Sequence, residues 1–152
     1  GPVEQRTPPR PLAVFVPRPW PTDRLADIED AANPANIVLD ARNRDRYRGE
    51  HDPVDPRPGH IPGALNLPCR ENLDEKGRFL SVKQLRERFE DVGVTDGASS
   101  ASVVSYCGSG VTACHNLLAL AFADLGHGRL YPGSVPQYSH AAARPDAPGL
   151  PL

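Results

Sequence analysis

Cys107 is the residue of this chain best placed to do covalent chemistry. It stands where the β-forming run Ser102-Val-Val-Ser-Tyr106 gives way to Gly108-Ser-Gly110, and a long apolar run follows from Val111. A thiol in that position has two possible fates. It can be a buried small hydrophobe, the commonest state of a free cysteine. Alternatively it is a nucleophile held as thiolate, because glycines let successive backbone N–H groups turn inward and the positive end of the following helix adds to them. A helix N-terminus lowers a thiol pKa from about 8.5 to as little as ~3.5. The order strand, Cys, Gly-x-Gly, helix leaves the two fates equally open.

If the thiol is reactive, its neighbours narrow the chemistry. Cysteine phosphatases use Cys-x5-Arg, the guanidinium clamping two phosphate oxygens. Ala113 occupies that arginine position here. A phosphate dianion would lack its main counter-charge, so a smaller, less charged group on sulfur is favoured. Cys114, inside the apolar run, reads as a buried structural thiol, and so does Cys69. His115 reads as a satisfied core histidine too far along the helix to reach Cys107.

The elements that must position Cys107 follow from pattern. "NIVLDAR" is an apolar run stopped by charge, a buried parallel strand carrying Asp40 and Arg42 at its carboxyl end. Those two side chains read as a structural pair. "GHIPGALNLP" leads from a turn into another short strand. "SVKQLRERFEDVG" shows the capping-box spacing Ser81 to Gln84, with Leu85 and Phe89 on one face and Gly93 past the end. "TDRLADIEDAA" predicts a short helix capped by Thr22 and ending before Pro34. "VTACHNLLALAFADLG" is apolar nearly all round, which predicts a fully buried helix. A last short strand, "RLY", precedes a Pro-Gly turn and a terminal helix in "SVPQYSHAAAR". Strands alternating with helices imply one α/β domain with a mainly parallel central sheet and helices on both faces. Ligands of such sheets bind beyond the carboxyl ends of the strands, where Cys107 lies.

At 152 residues the chain suffices for one domain with its own core. With 17 Lys+Arg against 19 Asp+Glu it offers no basic stripe, which argues against a nucleic-acid partner. Its apolar runs fall short of the ~20 residues that cross a bilayer, so no membrane association and a cytoplasmic location are expected. Three cysteines without a Cys-x-x-Cys pair indicate neither a disulfide framework nor a metal site, and no cofactor is called for. No proline lies between Pro68 and Pro132, so ordered structure should concentrate there. The expected organisation is a linker or tail over 1–11, the catalytic unit over 12–143 and a tail over 144–152.

The segments "DARNRDRYRGE", "RPGHIPGALNLP", "CGSGVTA" and "LYPGS", in that order, resemble the rhodanese family, specifically the C-terminal catalytic half of tandem-domain sulfurtransferases. The loop "CGSGVT" is similar to the 3-mercaptopyruvate sulfurtransferase version, with thiosulfate sulfurtransferase the runner-up. The resemblance implies that Cys107 takes sulfane sulfur from a small donor as a persulfide and passes it to a thiol or cyanide acceptor. It implies a cradle of N–H groups from Gly108, Ser109, Gly110, Val111 and Thr112, with hydroxyl donors on Ser109 and Thr112. It matches Arg46 to the arginine that binds the donor's carboxylate or sulfonate, and Arg57 to a second anion contact. His60 matches a histidine that organises a turn, and Tyr106 is expected to pack. An upstream N-terminal rhodanese domain is also implied. After the last strand the family reads Gly-Ser-Trp-x-Glu-Trp, whereas this chain has Val135, Gln137 and Tyr138 at those places, which predicts an altered wall over the pocket. The competing reading is a rhodanese-fold sulfur carrier or binding module with little turnover on small donors.

Overall fold

The structure is a computed structural model that describes residues 14–50 and 58–141. Strands β1 (Ile37–Asp40), β2 (Leu65–Asn66), β3 (Val103–Tyr106) and β4 (Arg129–Leu130) form one parallel sheet in the order β2-β1-β3-β4. Helix α1 (Ile28–Ala32) precedes β1, α2 (Arg44–Tyr47), α3 (Val82–Glu90) and α4 (Val111–Phe122) run between the strands, and α5 (Ser134–Ala141) follows β4. The expected α/β architecture with helices on both faces is what forms.

Strand alternation assigns the two faces. Leu39 and Val103 pack with Leu85 and Phe89 of α3 and Ala119 and Leu120 of α4. Val38, Val104 and Tyr106 point the other way, into a core shared with Ala31 of α1 and Val135 and Tyr138 of α5. Leu85 and Phe89 have no exposed surface, and burying each is worth about 1.5–3 kcal/mol. Their helix starts as the spacing predicts: the Ser81 hydroxyl accepts from Gln84 N–H and the Gln84 side chain accepts from Ser81 N–H. Gly93 ends it in the left-handed region at φ 83°.

Two expectations need correction. Thr22 caps no α-helix; Thr22–Arg24 is a single 3-10 turn, and α1 begins after Asp27, which forms a capping box with Asp30. An aspartate pair satisfies the same orphan N–H groups as the serine-glutamine form, and it sits next to the first inward-facing residue. Nor is α4 buried all round. Ala113, Asn116, Ala119 and Leu120 face inward, while Val111 and Leu118 are mostly exposed, as are Cys114 and Phe122. Apolar composition measured the helix's hydrophobicity and not its contact with the sheet, which covers only one side. Among the described residues no helix is long and apolar enough to cross a membrane.

The order β2-β1-β3-β4 reverses direction between β1 and β3. Chain leaving β1 goes one way and chain leaving β3 the other, which opens a crevice at their carboxyl ends. The segment after β1 supplies Arg42 and Arg46, and the segment after β3 supplies Cys107.

Candidate active site

The crevice floor is a buried polar frame at the end of β1. Asp40 is wholly buried and Arg42 nearly so, and they pair through two guanidinium nitrogens, the shorter contact being 2.8 Å. Asp40 also accepts from the Arg42 backbone N–H at 2.9 Å. The Arg42 guanidinium reaches on to Gly59 O at 2.6 Å. Across the sheet, the Tyr106 hydroxyl accepts from Ile61 N–H at 3.2 Å. Burial, then the Asp40 charge, pushes that phenol well up, so it stays neutral. Tyr106 therefore packs, as expected, and also ties β3 to the 59–61 turn.

That turn fixes α2. His60 stacks on Tyr47 with ring centroids 3.8 Å apart, and its Nδ1 lies 2.8 Å from Tyr47 O. The Tyr47 hydroxyl donates to Ala64 O. His60 thus organises the turn as expected. Through this packing the short α2 helix presents Arg46 to the loop after β3. A Cβ on Gly108 would sit 3.2 Å from Arg46 Nη2 and 3.4 Å from Nη1, so the guanidinium lies against the Gly108 α-carbon. Arg57 falls outside the described residues.

The loop itself is built around the sulfur. Gly110, at φ 80°, is the left-handed residue that starts α4. The Ser109 N–H donates to Cys107 Sγ at 3.4 Å. Cys107 is 1% exposed, and that burial pushes its thiol up. The Thr112 hydroxyl and the N–H groups of Ser109, Ala113 and Thr112 outweigh it and hold the thiol below its ordinary range. Of the expected cradle residues, Ser109 and Thr112 reach the sulfur. Gly108 and Gly110 shape the turn, while the Val111 side chain faces solvent. The Ala113 N–H joins them from one residue beyond the expected range, because the first turn of a helix leaves its N–H groups unpaired.

The other thiols behave differently. Cys69 is buried, as expected, and burial raises its pKa. Cys114 is exposed instead of buried, and its thiol donates to Gly110 O at 3.3 Å. Its pKa too is raised, by partial burial and then by proximity to Cys107. With limiting iodoacetamide at neutral pH, Cys107 is expected to react ahead of the more exposed Cys114. Its rate should rise with pH about a lower midpoint than that of Cys114. Peptide mapping by mass spectrometry reads this, and preferential labelling of Cys114 would contradict it. His115 also departs from expectation: it packs against Phe79, and its buried Nδ1 has no hydrogen-bond partner among the described residues.

Sequence reasoning also did not assign Ser134, whose hydroxyl accepts from the Cys107 N–H at 3.2 Å, or the Val135 N–H, which donates to Cys107 O at 3.1 Å. The only signal was the Pro-Gly-Ser turn before α5. Val135 and Tyr138 are buried in the core with Ile61 and Tyr106, so these two side chains support the sheet and do not wall the pocket.

The arrangement holds a thiol whose ionisation is favoured, offers its sulfur the Ser109 N–H and sets a guanidinium beside the loop. Comparison with known proteins points the same way. The family model described as "Rhodanese-like domain" matches residues 22–141. The chain is 47% identical over 116 residues to the Pseudomonas aeruginosa protein named "Probable 3-mercaptopyruvate sulfurtransferase", an alignment covering 76% of this chain and 40% of that protein. Among solved structures it is similar to 3-mercaptopyruvate sulfurtransferase from Leishmania major, at TM-score 0.66 and 35% identity over 80% of this chain and 34% of that one. It is also similar to a structure titled "Probable Thiosulfate Sulfurtransferase", at TM-score 0.66 and 28% identity over 94% of this chain and 54% of that one. The chain spans about 40% of the length of the Pseudomonas aeruginosa relative.

Proposed function

The chain belongs to the rhodanese-like domain family, and from that premise we propose that it moves sulfane sulfur from a small anionic donor to a thiol or cyanide acceptor through a persulfide on Cys107. The observation that carries this reading is the Cys107 sulfur, 3.4 Å from Ser109 N and held below the ordinary thiol range.

The Cys107 thiolate attacks the donor's transferable sulfur, the thiol sulfur of 3-mercaptopyruvate or the outer sulfur of thiosulfate, and forms an S–S bond. With 3-mercaptopyruvate, the donor's C–S bond breaks and the electron pair leaves on carbon as pyruvate enolate, which takes up a proton. With thiosulfate, the donor's S–S bond breaks and sulfite leaves. Negative charge on the outer persulfide sulfur faces N–H groups at the start of α4, which cost no reorganisation at the moment of transfer. An acceptor thiolate or cyanide then attacks that outer sulfur and returns Cys107 to thiolate. Arg46 binds the donor's carboxylate or sulfonate, with Arg57 as the second anion contact. Because α2 sets the guanidinium against Gly108, the anion and the reacting sulfur are held on the same side of the loop.

3-Mercaptopyruvate is the favoured donor, on the likeness of "CGSGVT" and the naming of the Pseudomonas aeruginosa relative. The catalytic unit is taken as 12–143 with flanking segments 1–11 and 144–152. A second rhodanese domain upstream is proposed from the greater length of that relative. A cytoplasmic setting suits three unpaired cysteines.

The test is kcat/KM for the two donors with cyanide as acceptor, since that ratio reports differential stabilisation of the transition state. A higher value for 3-mercaptopyruvate is expected, and a higher one for thiosulfate would reverse the donor assignment. Loading of Cys107 from a protein persulfide, with no turnover on either small donor, would replace the enzyme reading with that of a sulfur carrier. In the same assay Arg46→Ala should lower kcat/KM for both donors roughly 10- to 100-fold, the value of a charge-assisted hydrogen bond. An unchanged kcat/KM would remove Arg46 from donor binding.

A further inference from the structure

We propose that Ser134 is a positioning residue for the sulfur, a hydroxyl clamp from the start of α5 that fixes the Cys107 backbone and so aims its side chain into the cradle. The proposal rests on the persulfide reading above, but one of its measurements does not require turnover.

Ser134 has no exposed surface and sits at φ 51°, in the left-handed region. One other described non-glycine residue has positive φ, Asp124, and it lies exposed just past α4, an ordinary place for a left-handed residue. Ser134 is different because its environment is closed and every polar atom of its side chain is used. The hydroxyl donates to Tyr131 O at 3.1 Å and accepts from Cys107 N–H at 3.2 Å. The next residue completes the grip, with Val135 N–H donating to Cys107 O at 3.1 Å. Both backbone polar groups of Cys107 are thus held by adjacent residues of α5, across the sheet face opposite α4.

Glycine would adopt this φ without steric cost. A serine that accepts the strain is explained by its hydroxyl, since a sterically disfavoured buried residue persists where its surroundings over-determine it. Tyr131, the acceptor, is itself locked by its N–H donating to Ser105 O in β3. The clamp therefore runs from β3 through Tyr131, which follows β4, and α5 back to Cys107, the residue that follows β3. Without the hydroxyl, the Cys107 N–H is a buried donor lacking its acceptor. The loop is then free to turn, and the 3.4 Å contact from Ser109 N–H to the sulfur is the first to lengthen.

The ionisable groups around Cys107 are the Cys69 and Cys114 thiols, the Tyr106 phenol next to it in sequence, and the Arg46 guanidinium beyond Gly108. The hydrogen bonds described for Cys114 and Tyr106 do not involve Ser134. The experiment uses the full chain with Ser134→Gly and Ser134→Ala. Glycine removes both hydroxyl and strain, whereas alanine removes the hydroxyl and keeps a Cβ at the same φ.

For each variant we would measure iodoacetamide labelling of the Cys107 peptide across pH, kcat and KM with 3-mercaptopyruvate, and the melting midpoint. In both variants the labelling profile should move to higher pH, with the rate at pH 7 down roughly threefold or more. The kcat should fall roughly tenfold, with donor KM within about twofold, since misplacing a reacting atom acts on the chemical step. Ser134→Gly should melt no lower than Ser134→Ala. Wild-type labelling and kcat in Ser134→Gly would overturn the clamp and assign any loss in Ser134→Ala to backbone strain. If the wild type transfers sulfur from neither donor while both variants still shift the labelling profile, the persulfide reading fails and the clamp stands.

Discussion

Cys107→Ser should lower sulfur transfer from either donor to cyanide roughly a thousandfold or more, the scale of losing a covalent nucleophile. A hydroxyl at this position can accept the hydrogen bond that Ser109 N–H gives to Sγ, and the side chain remains small and buried. The fold should therefore persist while the chemistry stops, because an alkoxide is not formed near neutral pH and oxygen cannot hold sulfane sulfur as a persulfide does. Thiocyanate formation and a thermal melt, run side by side, separate the two effects. Cys114→Ser is the control. That thiol is exposed and donates only to Gly110 O among the contacts described, so serine should preserve both the hydrogen bond and the rate. Residual transfer in Cys107→Ser within tenfold of wild type would mean that the nucleophile lies elsewhere.

Arg42→Met should cost about 3–5 kcal/mol of stability, because it leaves Asp40 as a buried charge without its partner. Arg42 is 3% exposed and Asp40 is wholly buried, so solvent cannot take the guanidinium's place. At this chain length that loss lowers the melting midpoint by roughly 10 °C. The same substitution removes the bond to Gly59 O. Gly59 precedes the histidine that stacks on Tyr47, and Tyr47 ends the helix that carries Arg46. A rise in donor KM should therefore accompany the loss of stability. Arg48→Met, which breaks an exposed pair with Glu50, should leave the midpoint unchanged, since exposed ion pairs are screened by water. Equal melting of Arg42→Met and wild type would show that the buried pair does not hold the crevice floor.

The parts of this fold that could be read from sequence are those where one local signal coincides with one structural requirement. Ser81 and Gln84 satisfy each other's N–H groups wherever α3 sits. A short apolar run ending in Asp40 fits a strand buried on both faces with a charge at its end. For the Cys107 loop, two glycines and a helix start located the thiol but left its buried and reactive fates equally open; Ala113 argued against phosphate chemistry, and the family resemblance carried the reactive reading. What could not be read depends on which side of an element meets the rest of the molecule. The sequence of α4 is apolar around its whole circumference, so nothing in it distinguishes Cys114, which faces out, from Ala113, which faces in. His115 likewise lies against Phe79, a contact between segments far apart in the chain. Ser134 was missed for a different reason: its role follows from a left-handed backbone and a hydroxyl that crosses to another element, and neither leaves a spacing to find.

Mass spectrometry of the intact protein and of its peptides, after brief exposure to 3-mercaptopyruvate and removal of the donor, tests the central claim most directly. The account predicts a gain of one sulfur atom, located on the peptide containing Cys107, lost on addition of cyanide and absent from Cys107→Ser. A sulfur gain that persists in Cys107→Ser, or that maps to Cys69 or Cys114, would contradict it.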